Sequence, residues 1–255
     1  MKLQNLLKKN LVLEALWFGK VSYVNGMKLQ DHYIRMVKKA RECGQQSKNF
    51  LLLFEHNPVY TVGIRSQMYS AEEENKLKKL GAEFYRTNRG GLITFHGPGQ
   101  LVAYPIIDLS SLRIHRSEES SVRVGVRRFV FLIEEVIIQT VKRFGIVDAS
   151  RTSNTGVWVG NGTRKIAAIG ISVRGGVSSH GLGLNCNTDL SWFNNIVPCG
   201  LVGKGVTSMS VECGKEIQVS EVLHSLSEQF ADVFQTSLIY NDQHLEIDKL
   251  LNSLK

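Results

Sequence analysis

Residues Asn154–Ser208 read NTGVWVGNGTRKIAAIGISVRGGVSSHGLGLNCNTDLSWFNNIVPCGLVGKGVTS, and this stretch decides the fold class. Gly156–Val159 and Lys165–Val173 are apolar runs separated by Asn161-Gly162, a dipeptide that favours the left-handed backbone of a tight hairpin. Gly181–Asn187 reads as a further strand. Successive short strands joined by glycine turns imply antiparallel pairing. The stretch also carries two groups that can react at neutral pH, Lys165 and Cys199.

Working outward, helices and strands do not alternate regularly. Met27–Cys43 has Leu29, Tyr33, Val37 and Ala40 at helical spacing. Phe50–Phe54 and Val59–Ile64 read as strands, with Asn57-Pro58 between them. Ser70 with Glu73 three residues on is a capping-box pattern, opening a helix that ends near Gly81. Glu83–Arg86 and Leu101–Ile107 are expected strands. The longest expected helix starts at Ser117 and runs to Phe144, with Val122, Val126, Phe129, Val130, Ile133, Ile137 and Val141 on one face. A short strand at Glu216–Val219 and helices at Ser220–Phe234 and Leu245–Leu254 complete the reading. The order points to an α+β fold with a largely antiparallel mixed sheet packed by helices.

The 255 residues are 43% apolar with only 4 prolines, which suits a compact domain without linkers or repeats. The longest apolar run, Phe129–Ile138, is broken by Glu134 and Glu135 and is far too short to span a membrane. The net charge of +8 attracts anions. Nucleic acid is disfavoured as the partner, because no basic stretch is interleaved with aromatic residues for base stacking. An acidic protein fits the charge equally well. Residues 1–20, with Lys2, Lys8 and Lys9 and no acid before Glu14, are read as a targeting leader or extension. That leaves residues 21–240 for the catalytic domain and 241–255 for a C-terminal helical tail.

The 4 cysteines form no C-x-x-C pair, and the histidines lack metal-ligand spacing, so no metal is expected. A free cysteine is ordinarily a small buried hydrophobe. Cys199 differs because Pro198 and Gly200 enclose it in a turn that presents its sulfur. Cys186, inside a strand, and Cys213 are read as inert. Lys165 precedes Ile166-Ala167-Ala168-Ile169-Gly170, so its stem enters a buried strand. There it can act as a neutral base or, charged, favour a thiolate. A second constellation is Arg89-Gly90-Gly91 with His96-Gly97-Pro98-Gly99. It is no P-loop, since no G-K-[ST] follows, but its glycines let a backbone approach a ligand.

Four motifs in order, RGGLITFHGPGQLVAYPIIDL, KIAAIGISV, SHGLGLNCNTDLSWF and IVPCG, resemble the octanoyltransferase family. These are octanoyl-acyl carrier protein:protein N-octanoyltransferases of the lipoyl transferase B type. TGVWVG and TDLSWFNNIVPCGLVGKGVTS are most similar to animal mitochondrial members, which implies a mitochondrial location, or a cytoplasmic one for a bacterial source. The resemblance implies a biotin/lipoate protein ligase-like catalytic domain. It also implies transfer of an octanoyl group from acyl carrier protein to a lysine of lipoyl domains of 2-oxoacid dehydrogenase E2 subunits or of glycine-cleavage H protein. That is the first step of protein lipoylation, needing neither ATP nor another cofactor.

By the same resemblance the nucleophile falls on Cys199 and its activating base on Lys165. The substrate-lining residues fall on Arg89, Gly90, Gly91, Leu92, Ile93, Thr94, Phe95 and His96, on Ala168, Ile169 and Gly170, and on Gly181, Leu182 and Gly183. Phe95, Ala168 and Gly183 depart from the residues common in the family. The rival readings are an ATP-dependent lipoate ligase on the same fold, a thioesterase, and a non-catalytic module that binds the carrier or a lipoyl domain.

Overall fold

The computed structural model describes residues 11–45, 48–65, 67, 69–110, 112–115, 121–196 and 204–254. In chain order the elements are β1 (Val12–Val21), α1 (Tyr23–Glu42), β2 (Asn49–His56), β3 (Val59–Val62), α2 (Ala71–Lys79), β4 (Glu83–Arg86), β5 (Thr94–His96) and β6 (Gln100–Ile106). They continue with β7 (Arg113–His115), β8 (Ser121–Arg123), α3 (Val126–Arg143), β9 (Val157–Val159), β10 (Arg164–Arg174), β11 (Val177–Asn185) and a 3-10 helix at Leu190–Asn195. The last are β12 (Gly205–Val206), α4 (Met209–Cys213), α5 (Val219–Phe234), β13 (Ser237–Asp242) and α6 (Ile247–Ser253).

The main sheet runs β12-β10-β11-β6-β2-β1-β13, with β9 also paired to β10. Pairing is antiparallel from β10 through β11, β6 and β2, and parallel for β2 with β1 and β1 with β13. The α+β reading with a largely antiparallel mixed sheet describes this arrangement. Sequence pattern explains the layers. In β2 alternate residues serve opposite cores: Leu51 and Leu53 face α3 and α5, while Phe50, Leu52 and Phe54 pack with Leu29, Tyr33 and Val37 of α1. A strand covered on both faces reads as an unbroken apolar run. A small sheet, β4-β3-β5, carries its own aromatic core of Tyr60, Phe84, Phe95 and Phe193. No helix among the described residues is long and apolar enough to cross a membrane.

Three expectations change. The helix placed from Ser117 starts at Val126, behind Gly125 as N-cap. Ser117 lies outside the described residues, and Val122 belongs to β8, paired with Ile114 of β7. Glycine is a poor helix former and ends the segment that the apolar periodicity had extended. No strand forms at Glu216–Val219: Glu216 and Ile217 carry no regular structure, Gln218 is the N-cap of α5 and Val219 its first residue, and the Gln218 backbone N–H donates to Glu221 Oε1 at 3.1 Å. The capping box outcompetes extended pairing there.

The third change concerns the boundaries at residues 20 and 241. Residues 12–21 form β1, between β2 and β13, with Leu13, Ala15, Leu16 and Phe18 at most 2% exposed. The reading of a leader or extension over residues 1–20 rests on Lys2, Lys8 and Lys9 with no acid before Glu14, a charge pattern that says nothing of sheet partners. The tail is helical at α6, but Leu250, Leu251 and Leu254 pack against the α1 core, and β13 supplies the sheet's edge. Both ends therefore belong to the same packed unit. A chain beginning at Ser22 loses its β1 pairings on both sides, and is expected to lack a cooperative unfolding transition by circular dichroism or calorimetry.

Candidate active site

Strand β10 organises the site. Lys165 and Trp158 are direct cross-strand partners in the β9–β10 pair, and the register slips between Lys165 and Ala167. A bulge of this kind re-aims the side chain beside it. Ile166 and Ala167 both enter the helix-side core, while Lys165 is held at 5% exposure. Its Nζ lies 4.7 Å from the centre of the Trp158 ring. Trp158 is itself fixed: its backbone bonds reciprocally with Ser150, and Nε1 donates to the Asn154 carbonyl at 3.0 Å. Gly156, at φ +120°, lies against the lysine stem; a Cβ there would sit 2.6 Å from the Ala167 carbonyl oxygen. A buried ammonium needs compensation, and the face of an indole supplies it.

Beyond Ala167 the outer edge of β10 has no strand neighbour among the described residues, since β9 and β12 pair only with Arg164–Ala167. The Arg89–Gly91 loop covers part of that edge, Gly90 donating to the Ile171 carbonyl at 3.0 Å. Gly170 permits the approach: a Cβ on it would meet the Gly90 carbonyl oxygen at 2.9 Å. Arg89, read from sequence as half of a bracket on a polar group, is committed to the protein. Its Nη2 donates to the Thr61 carbonyl at 2.6 Å and the Leu92 carbonyl at 2.9 Å, and Nη1 to the Gly90 carbonyl at 2.9 Å. It braces the loop.

Between this loop, β10, β11 and α1 lies a cleft of about 440 Å³. Of the residues singled out in the sequence, Arg89, Gly91, Thr94 and His96 line it from one side. Ala168, Ile169, Gly170, Gly181, Leu182 and Gly183 line it from the sheet. Gly90 instead faces a second, larger cleft of about 980 Å³ along the bare β10 edge. Leu92, Ile93 and Phe95 line neither; all three are buried, Ile93 and Phe95 in the aromatic core of the small sheet, where Trp192 stacks on Phe95 at 5.1 Å. Tyr23, Tyr104 and His180 line the first cleft and were not singled out. Tyr104 and His180 sit inside the quoted motifs, whereas Tyr23 carries no signal beyond following the cap Ser22.

Arg89 apart, the polar groups around this cleft are linked and uncharged. Gln100 Nε2 donates to Asn185 Oδ1 at 2.8 Å and to the Phe95 carbonyl at 3.2 Å. Its Oε1 therefore accepts, at 2.6 Å, from His96 Nδ1, which carries the hydrogen. Asn185 Nδ2 continues to the Thr207 carbonyl at 2.9 Å, and the Thr207 amide donates to the Lys165 carbonyl at 3.0 Å. Behind lies His56, donating from Nδ1 to the Val21 carbonyl at 3.1 Å and accepting at Nε2 from the Tyr104 hydroxyl at 3.3 Å. His180 holds φ +56° and is tied through Nε2 to Asn88 Oδ1 at 2.8 Å. A left-handed backbone at a buried histidine is strain of the kind that gathers at ligand sites.

Burial lowers the pKa of all three histidines. His96 falls to about 3, helped by nearby His56; His56 falls to about 4; His180 falls to about 4, helped by the charge of Arg89. Burial likewise raises Tyr23 to about 12 and Tyr104 further. Apart from the Arg89 guanidinium, the cleft wall is thus neutral at physiological pH.

Cys199 lies outside the described residues, within the 197–203 segment. The chain on both sides of that segment is anchored beside Lys165. Val206 of β12 is its register partner, and Phe193 and Val206 share a small cavity with Lys165, Ala168 and Gly183. Cys186 is buried and its thiol is pushed up to about 12 by burial; burial also raises Cys213.

The family profile described as the lipoyl protein ligase A/B catalytic domain matches residues 23–231, and the chain belongs to that family, on its octanoyltransferase branch. The chain is 47% identical to the mitochondrial octanoyl-[acyl-carrier-protein]:protein N-octanoyltransferase of Danio rerio, over 90% of this chain and 95% of that one. It is 46% identical to the protein of the same description from Xenopus tropicalis, over 87% of each. These are animal mitochondrial forms, the branch and compartment that the motifs imply. Among solved structures, the bipartite lipoate protein ligase from Thermoplasma acidophilum has the same fold, with a TM-score of 0.68, 16% identity and coverage of 96% of this chain and 92% of that one.

The three depressed histidines set the acid behaviour of the fold. Each binds its proton more weakly folded than unfolded, so stability is full above about pH 6.5 and declines as pH drops from there towards about 4. His180→Asn tolerates the left-handed backbone and removes one of the groups. Its melting temperature is expected to fall less than that of the wild type between pH 6.5 and 4, read by thermal melts across that range.

Proposed function

We propose that this chain transfers an octanoyl group from octanoyl-acyl carrier protein to a lysine of a lipoyl domain through a Cys199 thioester. The observation that carries the reading is Lys165, a lysine held inside the fold beside the anchored ends of the segment that contains Cys199. Seven residues at no more than about 3.6 Å each separate Cys199 from Val206, the register partner of Lys165, a tether of at most about 25 Å that allows the pair to meet. The octanoyl-[acyl-carrier-protein]:protein N-octanoyltransferases to which the chain is similar supply the donor and the acyl group.

In this reading Lys165 promotes the Cys199 thiolate, either by accepting its proton or by offering positive charge. The thiolate attacks the donor carbonyl, the C–S bond to the carrier breaks, and the carrier leaves as a thiol with the proton that Lys165 returns. The acceptor lysine, as a neutral amine, then attacks the Cys199 thioester. An amide forms, its proton passes to Lys165, and the thiolate is restored. Thioester to thioester is nearly isoenergetic and thioester to amide is downhill, so no ATP is consumed. Backbone N–H groups of the glycine-rich loops stabilise the oxyanion.

The first cleft holds the chain. Each methylene buried there contributes about 0.8 kcal/mol, and the neutral histidines and tyrosines behind it avoid charging an apolar ligand's wall. The acceptors are lipoyl domains of 2-oxoacid dehydrogenase E2 subunits and the glycine-cleavage H protein. The +8 charge suits an acidic carrier.

Incubation with octanoyl-acyl carrier protein followed by intact-mass measurement is expected to give one octanoyl adduct, which Cys199→Ser does not form as a thioester and which a lipoyl domain discharges. Lys165→Ala is expected to slow the adduct by about 10²–10⁴-fold without loss of fold. A ligase would instead need free acid and ATP, a thioesterase would discharge the adduct to water, and a binding module would form none. Trp158→Leu, which removes the aromatic face under Lys165, is expected to slow adduct formation by about tenfold and shift its pH profile, whereas Trp158→Tyr keeps most of the rate.

A further inference from the structure

The second cleft has no part in the acyl slot just described, yet it shares Gly91, Ile169 and Gly170 with it and reaches Lys165. Two basic side chains line it at different depths: Lys165 is 5% exposed, and Arg65 is exposed. No carboxylate lines it among the described residues. Val126, 47% exposed, and half-buried Val130 give the cleft an apolar wall from α3. Asn154 and Thr155 add hydrogen-bonding groups to its lining. The floor is the stretch of β10 that lacks a strand neighbour among the described residues, Ile169–Ile171.

From this arrangement, and resting on the acyl-transfer reading above, we infer that the 980 Å³ cleft takes the 4′-phosphopantetheine arm of the acyl donor, with its phosphate on Arg65. The arm is an extended chain with a thioester at one end, two amides along it, a branched dimethyl carbon and a phosphate at the far end. The lining holds a counterpart for each part: Lys165 for the thioester, Asn154, Thr155 and the strand edge at Ile169 for the amides, Val126 and Val130 for the dimethyl group, and the Arg65 guanidinium for the phosphate. An extended amide chain beside a strand edge that the Arg89–Gly91 loop covers only in part can add to it as a strand does. Guanidinium and phosphate match as a charged, forked pair. The two clefts divide the donor at its carbonyl: acyl chain on one side of β10, arm along its edge.

The test separates this inference from the transferase reading by measuring binding without turnover. Two unreactive donors are used in which an amide replaces the thioester, one octanoyl-4′-phosphopantetheine and one octanoyl-pantetheine, and their dissociation constants on the full chain are read by calorimetry. The phosphorylated compound is expected to bind about tenfold more tightly. R65A is expected to collapse that ratio towards one, and R65K to retain most of it. Equal affinities in the wild type, or a ratio that R65A leaves intact, overturn the inference. So does an R65A defect confined to the Michaelis constant for the lipoyl-domain acceptor, which assigns the cleft to the acceptor. The expected ratio in a chain that forms no Cys199 adduct supports the phosphate site while removing the proposed transfer.

Discussion

An amine withdrawn from water needs a substitute for the water, and Lys165 finds it in the Trp158 indole. Much of the local architecture follows from holding that pair. The bulge after Lys165 turns the side chain out of strand phase, and Gly156 leaves room for its stem. Trp158 is locked on its far side by the Ser150 bridge and the Asn154 carbonyl. A lysine on a flexible surface strand would need none of this. Lys204 also approaches the indole, 6.0 Å from its centre, and donates to the Gly162 carbonyl at 2.8 Å, which closes the hairpin turn from the other end.

The cleft next to this pair solves a different problem. Under the proposed transfer it must be apolar enough for a hydrocarbon yet rigid enough to aim a carbonyl, and the hydrogen-bonded frame in its wall is made of side chains that carry no charge. The His96–Gln100–Asn185–Thr207 chain runs from the cleft wall to the backbone of Lys165, so wall and lysine are parts of one hydrogen-bonded frame. A satisfied buried network specifies a single arrangement of its members. Glycine does the complementary work. Gly183 lies where a Cβ would come within 2.7 Å of Gln100 Oε1, so a larger residue disturbs the frame itself as well as filling the slot.

Sequence alone carried the parts of this organisation that depend on local chemistry. The Asn161-Gly162 turn, the Ser70–Glu73 cap and the apolar runs of β2 and β6 are short-range signals, and each stands where its pattern placed it. What depended on distant partners was not legible. Strand β1 alternates imperfectly because Gly19 breaks its register, and its burial comes from β2 and β13, far along the chain. Gly125 divided an apolar periodicity that looked continuous. At the site, motif wording grouped the glycines and Lys165, but it placed Ile93 and Phe95 with the ligand when they serve the core of the small sheet. It also gave Arg89 a partner outside the protein, though Thr61 and Leu92 occupy it. Tyr23 reaches the cleft only because α1 crosses the sheet, which no local pattern encodes.

The pairing of β1 with β13 joins Val12 to Ser237, nearly the whole length of the chain apart. A polypeptide that emerges from its amino end, whether from a ribosome or through a pore, exposes β1 long before its last neighbour exists. Until residue 242 has arrived, the outer hydrogen-bonding edge of β1 stays open. Closing such a long loop is slow, and an open apolar edge invites the wrong strand meanwhile. Late closure of that edge is therefore written into the order of the sheet.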